Sequence, residues 1–283
     1  MIRLDAASFL LQWAVGGLFF LWVTTRRREV GLGYGWLLRG VYGAMAALSI
    51  VVSQVIGPVP ARDAIAVLVV IATGVALAVS IRRKEAGVAG QREVVERRSA
   101  RVAAMTGIDR EEQRFDKEAP EFPPWLDLVA PLIGILALIA AGIDAGSPAW
   151  LSVLRIVVGA GFLGAVTDAM LLGHWYLTQP GLARAPLLEL VRWTAILWPL
   201  EVISLLIPVG MWSVINGTID DGYGGILGWM WLTCAVTTIG LIAVTRAALK
   251  ERQYSAVMAA TGLLYLAILT AFGTDLVARA VLA

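Results

Sequence analysis

The sequence predicts an all-α fold: a polytopic membrane helix bundle of about eight transmembrane helices, with both termini on the non-cytoplasmic side. Three observations predict it. The 283 residues are 59% hydrophobic and 16% charged, with a mean hydropathy of +0.78, whereas soluble domains are about 25% charged. Apolar residues gather into eight runs long enough to cross a bilayer, since about 20 residues at ~1.5 Å each cover ~30 Å of hydrocarbon. Threading those runs back and forth puts 19 of the 23 Lys and Arg on one side, and basic side chains are retained in the cytoplasm.

The first span, 6–24, follows Met1-Ile2-Arg3-Leu4-Asp5 and ends at Arg26-Arg27-Arg28. That is a stop-transfer pattern rather than a cleavage site, so the span is expected to stay in the mature protein. Small residues Gly16-Gly17 interrupt it. Span two, 35–56, carries Arg39 at its cytoplasmic end and a Gly40/Ala44 pair that allows close helix approach. Gly57-Pro58-Val59-Pro60 ends it, because proline restricts the backbone and removes a donor. Span three, 64–81, runs into Arg82-Arg83-Lys84.

Residues 82–124 form the one long connection. Its first half, Arg82 to Arg101, has seven basic and three acidic residues; its second, Asp109 to Glu121, has three and six. Gln91 to Met105 has helix-forming composition with Val94, Val95, Val102 and Met105 on one side, Gly107 as a stop and Asp109 as the cap of a second short helix. Pro120, Pro123 and Pro124 break the chain before span four. The segment reads as a solvated connector on the membrane surface, and its charge also suits docking of cytoplasmic or membrane protein subunits.

Span four, 125–143, turns through Asp144-Ala145-Gly146-Ser147-Pro148 into span five, 150–177, which turns at Gln179-Pro180-Gly181 into span six, 187–215. Pro199 and Pro208 predict a kink in span six. Asn216-Gly217-Thr218 matches a glycosylation sequon but reads as a turn. Spans seven, 224–245, and eight, 256–278, complete the set. Only Arg3, Arg62, Arg155 and Arg279 fall on or near the outer side. The eleven Trp and six Tyr suit membrane-interface belts. The pattern predicts the cytoplasmic (inner) membrane of a bacterium, with lipid as the principal partner and no nucleic acid.

Ionisable residues inside spans are costly and mark candidate sites. Counting ~1.5 Å per residue from the cytoplasmic turn of spans five and six orders His174, Asp168, Glu201 and Arg155 outward in steps of roughly 10 Å. Asp168, Glu201 and Arg155 form the candidate intramembrane polar path. His174 is the only histidine, and with Trp175 and Tyr176 it forms the candidate quinone or proton-entry contact. Arg155 lies near enough to the outer surface to reach water, and Asp127, Asp144 and Asp275 lie at span ends where hydration is cheap.

A single histidine excludes bis-histidine haem, and the single Cys234 excludes an internal disulfide and CxxC clusters. No haem or metal site is evident. Nor is there a P-loop, a dinucleotide fingerprint, a Ser/His/Asp set or an HExxH helix. The expected function is therefore an integral-membrane subunit without catalytic activity of its own, anchoring or coupling a larger, respiratory-type complex, with quinone as the candidate cofactor. The alternative is a proton-coupled secondary transporter using the carboxylates of Glu201 and Asp168, although no inverted repeat accompanies them. An intramembrane enzyme acting on lipid lacks a recognisable nucleophile or metal set.

Overall fold

A computed structural model describes residues 5–93, 95–97, 115–116, 118–179, 182–207, 210–251 and 253–282. The expectations for Arg3, Val94, Val102, Met105, Gly107, Asp109, Pro180, Gly181, Pro208 and Arg252 lie outside the described residues.

Among the described residues the regular structure is helical. Helix α1, Ala6–Thr25, begins where the Asp5 carboxylate accepts the amides of Ala7 at 3.0 Å and Ser8 at 3.2 Å, satisfying donors that have no partner inside a helix. Helix α2, Leu32–Ile56, stops at Gly57. Helix α3, Pro60–Arg82, places proline in its first turn, where the missing N–H costs nothing, with Asp63 in the same turn. A single 3₁₀ turn, Lys84–Ala86, follows, and residues 89–93 and 95–97 are helical. Helices α4, Leu126–Asp144, and α5, Ala149–Thr178, come next. At 30 residues, α5 is about 45 Å long, more than the hydrocarbon alone requires.

The hydropathy of 187–215 predicts one helix; the structure has two. Helix α6, Ala185–Leu206, runs through Pro199 and ends at Ile207, and the five-residue α7, Met211–Ile215, follows. The exposed loop before α8, Ile226–Lys250, is held by Asp221, whose carboxylate accepts the amides of Tyr223, Gly225 and Leu227 at 2.8–2.9 Å. These N–H groups, that of Gly225 first, hold Asp221 below the usual carboxylate range. Helix α9, Tyr254–Val281, ends the fold.

Among the described residues seven helices, α1 to α5, α8 and α9, are long and apolar enough to cross a membrane. The chain is thus a multi-pass integral membrane protein with lipid around it. Helix α6 has comparable length but carries Glu189, Arg192 and Glu201. Helix α1 packs against α2, α4 and α5, and α3 bridges α2 and α4. On the other side of α5, helices α6, α8 and α9 form a second group.

The two groups meet on α5 through small residues. A Cβ on Gly16 would fall 1.8 Å from the Ala160 carbonyl oxygen, and one on Gly164 would fall 2.2 Å from Gly16 C. The backbones of α1 and α5 therefore touch, as small-residue faces permit. The other small pair, Gly40 and Ala44, faces outward, with nothing near Gly40.

Candidate functional site

Among the described residues, four polar assemblies are built around buried charged side chains inside the bundle. At the end where the connector lies, Arg39 of α2 donates Nε and Nη2 to the two oxygens of Asp127 on α4, each at 2.7 Å. Thr25 donates to the same carboxylate at 2.8 Å, Arg39 Nη1 reaches Ser80 at 3.3 Å, and the guanidinium lies 4.4 Å from the Phe122 ring centre. This one pair ties α1 to α4 together. At the opposite end, buried Arg62 donates to Asp63, Asp5, Ser8 and Ser53 at 2.5–2.9 Å. Burial alone disfavours ionised Asp5, but the Ser8 hydroxyl, Arg62 and the capped amides hold it below the usual carboxylate range.

The third assembly joins α1, α5, α6 and α9. Arg279 donates to Asp275 at 2.7 Å and to Gln12, and Gln12 donates back to Asp275 at 3.3 Å. Arg155 crosses to α6, where Nε donates to the Ser204 carbonyl at 2.9 Å and Nη2 to that of Ile207 at 2.9 Å. These are carbonyls at a helix end, which lack intrahelical donors. Glu201 sits within electrostatic reach of Asp275, Arg279 and Arg155. It is 0% exposed, and neither carboxylate oxygen has a hydrogen-bond partner among the described residues.

Arg155 thus turns into the protein and closes the end of α6; only 2% of it is exposed. Asp127 and Asp275 likewise are buried in ion pairs rather than hydrated. The desolvation of a charge is tolerated only with such pairing.

The fourth assembly surrounds Asp168, also 0% exposed. Tyr42 of α2 donates its hydroxyl to Asp168 Oδ1, and Oδ2 has no hydrogen-bond partner among the described residues. Tyr34 donates to the Asp168 backbone carbonyl at 3.4 Å, and Trp13 Nε1 to the Thr167 hydroxyl at 3.0 Å. Of the four residues ordered by depth, the structure brings Arg155 and Glu201 together. Asp168 faces α2, and His174 faces α9.

His174 is exposed, and its Nδ1 shares a hydrogen bond of 3.0 Å with the Tyr265 hydroxyl. Its chain neighbours turn elsewhere. Tyr176 donates to the Ala183 carbonyl at 2.5 Å, fastening the turn between α5 and α6. The Trp175 ring packs against Tyr34, centres 5.9 Å apart, and borders a cavity of about 400 Å³. Its other walls are Gly31, Leu32, Gly33 and Trp36 from the start of α2, Lys84 and Glu85 from the 3₁₀ turn, Gln91 and Phe115 from the connector, and Gln179.

The connector is fixed where it meets this cavity. The Gly90 amide donates to the Arg28 carbonyl and the Asp116 amide to the Glu85 carbonyl, both at 2.9 Å. Glu121 is held by Arg92 and by Arg28, the latter at 3.2 Å. Nearby, Arg26 and Arg27 both reach Glu189 of α6 at 2.5 Å.

Sequence reasoning missed the cavity and the three arginine–carboxylate assemblies. The spacing of Asp275 and Arg279, four apart on one helix, was the available signal for one of them. Among the described residues no group of three His, Cys, Asp or Glu side chains is placed to hold a metal ion. No protein-family model, curated protein or solved structure matches the chain.

Proposed function

We propose that the protein is a non-catalytic integral-membrane subunit that anchors or couples a larger complex of the cytoplasmic membrane, and that it contacts quinone at the end of α5 that carries His174, Trp175 and Tyr176. In this reading all eight long helices cross the membrane, both termini face outward, and the connector end, with its Arg-rich surface, faces the cytoplasm and the partner subunits. The observation that carries the reading is the cavity beside Trp175, which combines aromatic walls with polar groups at one end of the bundle. The described parts of the connector beside it, held through Gly90, Asp116 and Glu121, offer a surface for a partner.

Isolation from the native membrane in mild detergent, followed by mass spectrometry and quinone extraction, tests the proposal. Stoichiometric co-purification of another subunit together with quinone is expected. A chain that purifies alone and quinone-free overturns it.

A second reading, proton-coupled transport, is favoured by Glu201. A buried carboxylate without a hydrogen-bonding partner is expensive unless it takes up a proton, and it lies one turn before the end of α6. Uptake driven by a pH gradient in wild type and lost in Glu201→Gln supports this reading. Uptake indifferent to the gradient removes it.

A further inference from the structure

Building on the quinone reading above, we infer that the headgroup is held in the cavity between the start of α2, the Lys84–Ala86 turn and the end of α5, on the Trp175 side of α5 and away from His174. Consecutive helical residues leave the axis about 100° apart. Trp175 accordingly meets Tyr34 on α2, while His174 meets Tyr265 on α9. The two residues cannot contact one small ring through the same face.

The cavity's size, about 400 Å³, is that of a small-molecule site. Its chemistry selects a neutral, oxygen-bearing ring. Trp36, Phe115 and Trp175 supply flat apolar surface. Lys84 and Glu85 both border the space, so their opposite charges offset each other and a free anion gains little. Two lining residues carry buried polar atoms with no partner among the described residues, the donor Trp175 Nε1 and the acceptor Gln91 Oε1. Trp36 Nε1, by contrast, is already used on Ser80 at 2.9 Å. The start of α2, whose cap Gly31 has no side chain to accept them, adds the backbone N–H groups of Leu32 and Gly33, that of Tyr34 donating to the Gly31 carbonyl at 3.2 Å. A quinone carbonyl accepts from the indole or these amides, and the hydroxyl of the reduced ring donates to Gln91. Both atoms are closed off from solvent, so each side chain must turn toward the cavity to meet the ring, and one class of ligand then satisfies both.

The test titrates the purified full-length chain in micelles with a short-chain ubiquinone, and maps the attachment site of its azido derivative after illumination. Trp175→Phe removes one donor and keeps the ring; binding should weaken about tenfold, the factor expected for one lost buried hydrogen bond. Gln91→Leu, outside the bundle core, should weaken binding of the reduced ring in the same direction, and His174→Ala should leave both unchanged. The label should fall within residues 31–36, 84–91 or 175–179. Weakening by His174→Ala with normal binding in Trp175→Phe, or a label confined to α9 near Tyr265, overturns the cavity assignment while leaving quinone binding intact. Absence of saturable binding in the wild-type chain overturns the quinone reading and this inference with it.

Discussion

Replacing Asp127 with asparagine should destabilise the bundle by about 3–5 kcal/mol, the cost of leaving a buried charge without its counter-ion. Arg39 and Asp127 are 2% and 4% exposed, and the guanidinium spends two donors on the carboxylate at 2.7 Å each. Asparagine keeps the volume and one acceptor oxygen but removes the charge, so Arg39 loses its counter-ion and one of its two hydrogen bonds to residue 127. Solvent cannot compensate it. The Arg97–Glu93 pair supplies the contrast: its side chains are 73% and 61% exposed, and Glu93→Gln should cost under about 0.5 kcal/mol. Removing both buried charges together, in Arg39→Met with Asp127→Leu, should recover most of the loss, because hydrophobic replacement of a whole buried pair is close to neutral. Equilibrium unfolding in mixed micelles, followed by tryptophan fluorescence and circular dichroism, measures all four proteins. If Asp127→Asn lies within about 1 kcal/mol of wild type, the pair is hydrated and the packing account of this end is wrong.

Gly164→Leu should destabilise by at least about 1–3 kcal/mol through overpacking against Gly16, while Gly40→Leu, on an open face, should be tolerated; the same unfolding assay distinguishes them. Arg155→Met strips both side-chain donors from the Ser204 and Ile207 carbonyls, costing about 1–3 kcal/mol, and amide exchange at residues 203–207 should quicken. Because the folded pKa of Asp5 is below its ordinary 3.8, its stabilisation is present above that value and fades as pH falls through the depressed one. Asp5→Asn should therefore lower stability at neutral pH and flatten the acid limb of the unfolding profile.

Helix positions were legible because apolar run length is a direct record of what a bilayer requires: 6–24 became Ala6–Thr25, and 35–56 became Leu32–Ile56. The end of α6 was not, since hydropathy averages over a short interruption whose flanks are equally apolar. Depth in the membrane could be counted along the chain, but direction around the axis decides contact. Arg155 and Asp168 are separated by 13 residues, about 220° around a helix, and Asp168 and His174 by six, about 240°. The three therefore leave α5 toward α6, α2 and α9. The ion pairs were hidden for a different reason. Arg39 and Asp127 are 88 residues apart, and each alone resembles an ordinary interfacial charge; only packing reveals that three of the four arginines expected on the outer side, Arg62, Arg155 and Arg279, point inward.

The proposed quinone site and the proposed docking face both depend on the connector end of the bundle lying in the cytoplasm. Cysteine labelling in a Cys234→Ser background measures this directly, using a membrane-impermeant maleimide on intact and permeabilised cells. Asn216→Cys, in the exposed turn after α7, should label in intact cells, and Glu118→Cys, exposed on the connector, only after permeabilisation. Labelling of Glu118→Cys in intact cells with protection of Asn216→Cys would contradict the account.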